Sequence, residues 1–220
     1  MVGLRFLYHD PLFRALTLMI GTMAFLTTGV LDLFVYHLKE NLGQSDTAVG
    51  IIFGVASIGA IISGVLAARL RRRFGFGACL VVGLVVQAIA MAAIGFASVV
   101  SLVAVFAIFY TLSESLRGIL TMTMRQEVTP DHLLGRVTAA FWMTFNIPGP
   151  LGAAAITGLG EFAGVRVALA VAAVIALGCT AFVARGPIGQ AHPEIAAQAR
   201  IDAAFAPPAT VTEGTAPSVP

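Results

Sequence analysis

The stretch Tyr110 to Arg136, YTLSESLRGILTMTMRQEVTPDHLLGR, decides how this chain is read. Glu114 and Arg117 stand three residues apart inside an otherwise apolar run, and a short charged connection ending in Gly135-Arg136 follows. In water this would be an ordinary charged helix with a turn after it. The residues around it place the pair in a lipid bilayer and the connection in a cytoplasmic loop.

Composition carries that placement. Of 220 residues, 58% are hydrophobic and 11% charged, with a mean hydropathy of +0.93. Soluble domains carry about a quarter charged residues, so a soluble fold of this size could not cover itself, and the class is an all-α polytopic membrane protein. The two cysteines, Cys79 and Cys179, lie in separate apolar runs with no neighbouring histidine, which leaves no zinc or redox motif. The start of the chain lacks the compact apolar core and small-residue cleavage site of a signal peptide. Insertion is therefore expected to be directed by the spans themselves.

A bilayer core of about 30 Å takes about twenty helical residues to cross. Six runs qualify: Ala15 to Tyr36, Thr47 to Ala68, Phe76 to Ala97, Val99 to Met124, Val137 to Gly160 and Val165 to Ala184. The third and fourth are nearly continuous and predict a tight helical hairpin. Cytoplasmic loops accumulate Lys and Arg, and with both termini inside, ten of the thirteen basic residues fall on the cytoplasmic side, among them Arg69, Arg71, Arg72, Arg73, Arg125 and Arg136. Lys39 and Arg166 remain outside, and Arg117 lies within the membrane. Residues 1–14 read as a cytoplasmic amphipathic lead-in, with Leu4, Phe6, Leu7, Leu12 and Phe13 resting in the interface. Residues 15–185 form the transmembrane domain and 186–220 a cytoplasmic tail, disordered from Ala206 onward, where Pro, Ala and Thr dominate.

Several residues within the spans invite a role. Asp32, near the outer end of the first span, either reaches the aqueous boundary or faces a central cavity. Gly50 and Gly54, one turn apart, suit close helix packing in lipid or a moving helix. In the fifth span, Pro148-Gly149-Pro150 removes two backbone donors and predicts a bend. Asn146 precedes that bend at nearly the depth of Glu114. Ionisable residues deep in a membrane are candidates for function, and at this spacing Glu114 and Arg117 share a helix face. A polar cluster of Glu114, Arg117 and Asn146 on the cavity side is therefore expected. Two readings stand beside each other: Glu114 exchanges a proton, or the pair is static and holds two helices together.

At this point the residues resemble a known family. The opening GLRFLYHDPLFRALTL and the connection RQEVTPDHLLGRVTA, with Pro130, Asp131, Gly135 and Arg136, are similar to the lead-in to helix seven and to the loop between helices ten and eleven of major facilitator superfamily transporters. The likeness is nearest to bacterial exporters of the enterobactin-exporter and macrolide-efflux type. The superfamily's loop motif G-x-L-A-D-R-x-G-R-R can be laid on Gly64 to Arg73, although Ala68 stands at the aspartate and Arg71 at the second glycine. The resemblance implies the C-terminal half of such a fold, six helices as two three-helix inverted repeats, with Gly64, Arg69, Arg72, Arg73, Gly135 and Arg136 at a cytoplasmic gate. It also implies a proton-coupled exporter, an antiporter, of small apolar or amphipathic compounds in the bacterial cytoplasmic membrane.

The partners then expected are lipid, a small-molecule substrate, protons, and either a missing N-terminal six-helix half or a second copy. A truncated remnant or regulatory half-module is the alternative. An enzyme is not expected: His9, His37, His132 and His192 fall in loops or ends, and no second deep aspartate faces Asp32. No phosphate-binding loop occurs, and no cofactor, metal or nucleic acid is implied.

Overall fold

The computed structural model describes residues 11–129 and 131–190, with 193, 195, 198 and 199 beyond them, and the side chains of all of these except 131–133. The expected lead-in up to Asp10 and the tail from Ala206 lie outside the described residues. Helix α1 (Pro11–Tyr36) opens on a proline, whose missing donor costs nothing in a first turn. Leu12 and Phe13, expected at the membrane interface, are instead buried in the core. After α1 the backbone widens into a π turn, His37–Asn41.

Helix α2 (Asp46–Phe96) begins where the Ser45 hydroxyl accepts from the Ala48 amide at 3.3 Å. Its 51 residues would extend about 77 Å at 1.5 Å each, more than twice a bilayer core. It is broken at Gly75, whose φ of 79° and ψ of 169° suit glycine alone. The second and third spans are therefore the limbs 46–74 and 76–96. The loop expected from Arg69 onward shrinks to that single glycine, and Arg69 to Arg73 ride on the last turns of the first limb.

Helix α3 (Val100–Val128) follows after a three-residue connection, the predicted tight hairpin. The next connection is also shorter than expected, because α4 (Asp131–Asn146) already contains Gly135 and Arg136. Helix α5 (Pro148–Ala163) continues from α4 past Ile147, whose φ of −68° and ψ of −44° stay helical. The interruption is thus a loss of ladder bonds at two prolines, with no reversal of direction. Gly164, at φ 86°, leads into α6 (Val165–Arg185). Beyond α6, the short turn Pro187–Gly189 buries Ile188, and the Gly77 amide donates to the Gln190 carbonyl at 3.2 Å. The chain after α6 therefore tucks beneath the second limb of α2.

Among the described residues the architecture is all-α, and four helical stretches are long and apolar enough to cross a membrane: Pro11–Asn41, Asp46–Phe96, Val100–Val128 and Val165–Arg185. The break at Gly75 divides the second of them, and α4 with α5 runs on as a further helical stretch between α3 and α6. α3 packs chiefly on α2, α1 on α5, and α2 also on α6. Where helices lie closest, glycine is responsible. A Cβ at Gly59 would stand 2.1 Å from the Ile108 carbonyl oxygen, and one at Gly152 only 1.7 Å from that of Phe25. Thr111 adds a bond across the first of these crossings, donating to the Ala56 carbonyl. Gly50, Gly54 and Gly64 meet nothing within 4 Å, so the packing expected at the first two falls to Gly59. Ile51, Ile61, Val65, Leu151 and Val174 point away from the chain, as lipid-facing residues do.

Candidate functional site

One face of α3 gathers the polar groups, because positions three and four apart align along a helix. Arg117 is almost fully buried, and its Nη2 donates to Glu114 Oε1 at 2.5 Å. The other carboxylate oxygen, Oε2, accepts from Gln87 Nε2 at 2.6 Å. Gln87, itself buried, comes from the second limb of α2. The circuit therefore ties the third span to the fourth. Tyr110, one turn before Glu114, brings its buried hydroxyl beside Thr27 and Gln87 without forming a hydrogen bond of good geometry to either.

Asn146 does not join this cluster. Its side chain is exposed and donates back to the Trp142 carbonyl at 2.7 Å, as a helix-terminal amide often does. Gln87 takes its place, and the signal was present in the sequence: a polar residue deep in the third run, at a depth comparable to that of Glu114. Asp32 is exposed near the C-terminal end of α1 and has no partner among the described residues.

Beside the circuit lies a cavity of about 170 Å³. Glu114 and Arg117 form one wall, Phe141, Trp142 and Phe145 of α4 another, and Ile20 of α1 contributes to the lining. Trp142 stands edge-on to both phenylalanines, with ring centroids 6.0 and 5.5 Å apart. Such T-shaped contacts pre-set an aromatic surface. An ionic pair facing rigid aromatic rings can hold a small amphipathic molecule.

A second cavity, about 420 Å³, opens between α2 and α3 near the break at Gly75, lined by Ala67, Ala68, Arg71, Arg72 and Glu127 among others. Arg71 clasps Glu127 with both terminal nitrogens, one pair of atoms at 2.8 Å, while its guanidinium lies 5.9 Å from the centre of the Phe76 ring. Of the expected gate residues, Arg69, Arg72 and Arg73 are exposed on α2, and Gly135 and Arg136 are exposed on α4. The clasp instead uses Arg71, which stands where the motif has its second glycine, and Glu127, which lies outside the motif. Arg125, expected in a loop, is buried on α3.

At the opposite end a cavity of about 700 Å³ adjoins the His37 turn. His37 Nε2 lies 3.0 Å from the Ala97 carbonyl oxygen and Nδ1 2.9 Å from the Asn41 amide nitrogen. A neutral imidazole with its proton on Nε2 satisfies both contacts, donating to Ala97 and accepting from Asn41. Lys39 pairs with Asp46 at 2.9 Å, and that hydrogen bond raises the ammonium pKa. Among the described residues no group of three His, Cys, Asp or Glu side chains could hold a metal, and both cysteines are free thiols.

Comparison with known proteins accords with this arrangement. Enterobactin exporter EntS from Escherichia coli O1:K1 / APEC and from Escherichia coli O45:K1 (strain S88 / ExPEC) are each 28% identical to the chain over 161 residues. The match covers 73% of this chain and 38% of either relative, so the chain spans well under half the length of these curated relatives. No solved structure matches it. Residues 17–213 match the family description Major Facilitator Superfamily, most of the length of the chain. With that match and four helices among the described residues long and apolar enough to cross a membrane, the chain belongs to the Major Facilitator Superfamily.

Proposed function

We propose that the chain supplies helices seven to twelve of a secondary active exporter of small apolar or amphipathic compounds, acting with a second six-helix unit. The exporter sits in a bacterial cytoplasmic membrane with both ends of this chain cytoplasmic. Protons drive the cycle. The observation that carries this reading is the cavity in which the Glu114–Arg117 pair faces Phe141, Trp142 and Phe145. A carboxylate at this depth holds Arg117 while ionised and releases it when protonated, which gives the helix pair two discrete arrangements to alternate between. The likeness to the enterobactin exporters supports export, and the short span of the match supports the need for a second unit.

The residues follow this division of labour. Glu114 carries the proton, Arg117 balances it, and the aromatic wall binds the apolar body of the solute. The Arg71–Glu127 clasp closes the cytoplasmic side. The static-pair reading also has an observation behind it, because Gln87 makes the circuit a brace between two helices. Uptake of a lipophilic dye into inverted membrane vesicles under an imposed proton gradient separates the two. Glu114→Gln at matched expression is expected to abolish proton-driven movement while exchange of dye down its own gradient persists. Unchanged proton-driven transport in that variant would leave only the brace.

A further inference from the structure

Arg125 is the exception among the charges on α3. It is 2% exposed, yet Nε and Nη1 are buried without a hydrogen-bond partner. Its remaining nitrogen, Nη2, reaches only the Met122 sulfur, a weak acceptor, at 2.6 Å. The guanidinium lies 4.0 Å from the centre of the Phe141 ring, which supplies attraction but no counter-charge. Arginine cannot shed its proton in a protein, so the charge persists. Among the described residues the nearby carboxylates are spoken for: Glu127 by Arg71, and Glu114 by Arg117 and Gln87. Just past the end of α3, at its C-cap, the Thr129 hydroxyl is also buried and unpartnered.

Both residues that cover Arg125 line the Glu114 cavity, Met122 on α3 and Phe141 on α4. Arg125 is thus one side chain behind the cavity, on the cytoplasmic side from which an exported solute would arrive. A flexible thioether and a single ring separate them, and both can rotate.

We propose that Arg125, with the Thr129 hydroxyl, is an oxyanion receptor beneath the aromatic cavity, and that it selects amphipathic aromatic acids as solutes. The aromatic body lies against Phe141, Trp142 and Phe145, and the carboxylate, or an oxyanion of similar shape, passes Phe141 and displaces the Met122 sulfur, to accept from Nη2 together with Nε or Nη1 along one edge of the guanidinium. A planar fork of donors suits that geometry, as a point charge does not. The inference rests on the cavity being the solute site and adds the charge of the solute to it.

The chain carries one tryptophan, Trp142, in the cavity wall, so its fluorescence reports occupancy. The full chain in phosphatidylcholine nanodiscs is titrated at neutral pH with 4-butylbenzoate and with its neutral counterpart, 4-butylbenzyl alcohol. Charge-assisted bonds predict a carboxylate preference of about tenfold. Arg125→Gln is expected to bring the two probes within about twofold of each other while alcohol binding is unchanged, which also certifies the fold. Arg125→Lys, which keeps the charge but loses the fork, retains only part of the preference.

Equal binding of the two probes to the wild type, or a preference that survives Arg125→Gln, overturns the receptor and leaves the cavity reading intact. If even the alcohol fails to saturate, the cavity reading falls and the receptor with it. If phosphatidylglycerol in the nanodiscs removes the preference, a lipid headgroup occupies Arg125, and the assignment to a solute is overturned.

Discussion

Arg117 and Arg125 lie on the same face of α3, eight residues or about 12 Å apart, and both are almost fully buried. Arg117 closes a circuit with Glu114 and Gln87 that joins two helices. Arg125 has a ring and a sulfur for company. Burial alone therefore says little about what a membrane arginine contributes, because desolvation is costly in both places and, among the described residues, only one of them has a counter-charge to offset it. The paired arginine braces the resting structure, whereas the unpaired one holds interaction energy in reserve for a partner.

The largest effect should come from opening the closed circuit. Glu114→Ala leaves Arg117 buried without a counter-charge and is expected to lower unfolding stability by about 3 to 5 kcal/mol. Helicity followed through a denaturant titration in mild detergent measures it. A loss well under 1 kcal/mol would mean that Arg117 finds another partner and that the two arginines differ less than their geometry indicates.

A smaller effect of opposite sign is expected at the other arginine. Arg125→Met replaces an uncompensated buried charge with an apolar side chain and should raise stability by about 1 to 4 kcal/mol in the same titration. A fall would reveal a counter-ion for Arg125 and would erase the contrast with Arg117.

The smallest effect belongs to the cytoplasmic clasp, which calibrates the other two. The Glu127 side chain is 45% exposed, and pairs of that kind contribute less than about 1 kcal/mol. Glu127→Gln should hardly move the unfolding curve. A loss matching that of Glu114→Ala would show the clasp to be as isolated from solvent as the circuit.

Much of this organisation was legible in the sequence. Hydropathy located the spans because the bilayer imposes a length, and the prolines at 148 and 150 announced the interruption near Ile147 because their chemistry is local. Helix ends were harder. The charge of Arg69 to Arg73 and the Gly135-Arg136 pair read as loop in sequence, yet a helix can continue through such residues, and does so here on α2 and α4. Counting residues gave Glu114 a depth but not a direction around the helix axis. Asn146 and Gln87 were comparable in depth, and only the packing of α2 on α3 selected Gln87. Arg125 was hidden for a related reason: the bias that assigns arginines to the cytoplasm does not distinguish one in a loop from one turned inward on a final helical turn.

The crossing at Gly152 has a mechanical consequence. There α1 and α5 touch main chain to main chain, with no side chain between them to be compressed or rotated aside. Just before it, at Pro148 and Pro150, the hydrogen-bond ladder loses two donors, and on the far side of that lapse α4 carries Phe141, Trp142 and Phe145. The crossing is a fulcrum and α4 is the arm mounted beside it. A swing of a few degrees at Ile147 would carry the aromatic wall as a unit while α5 stays clamped to α1.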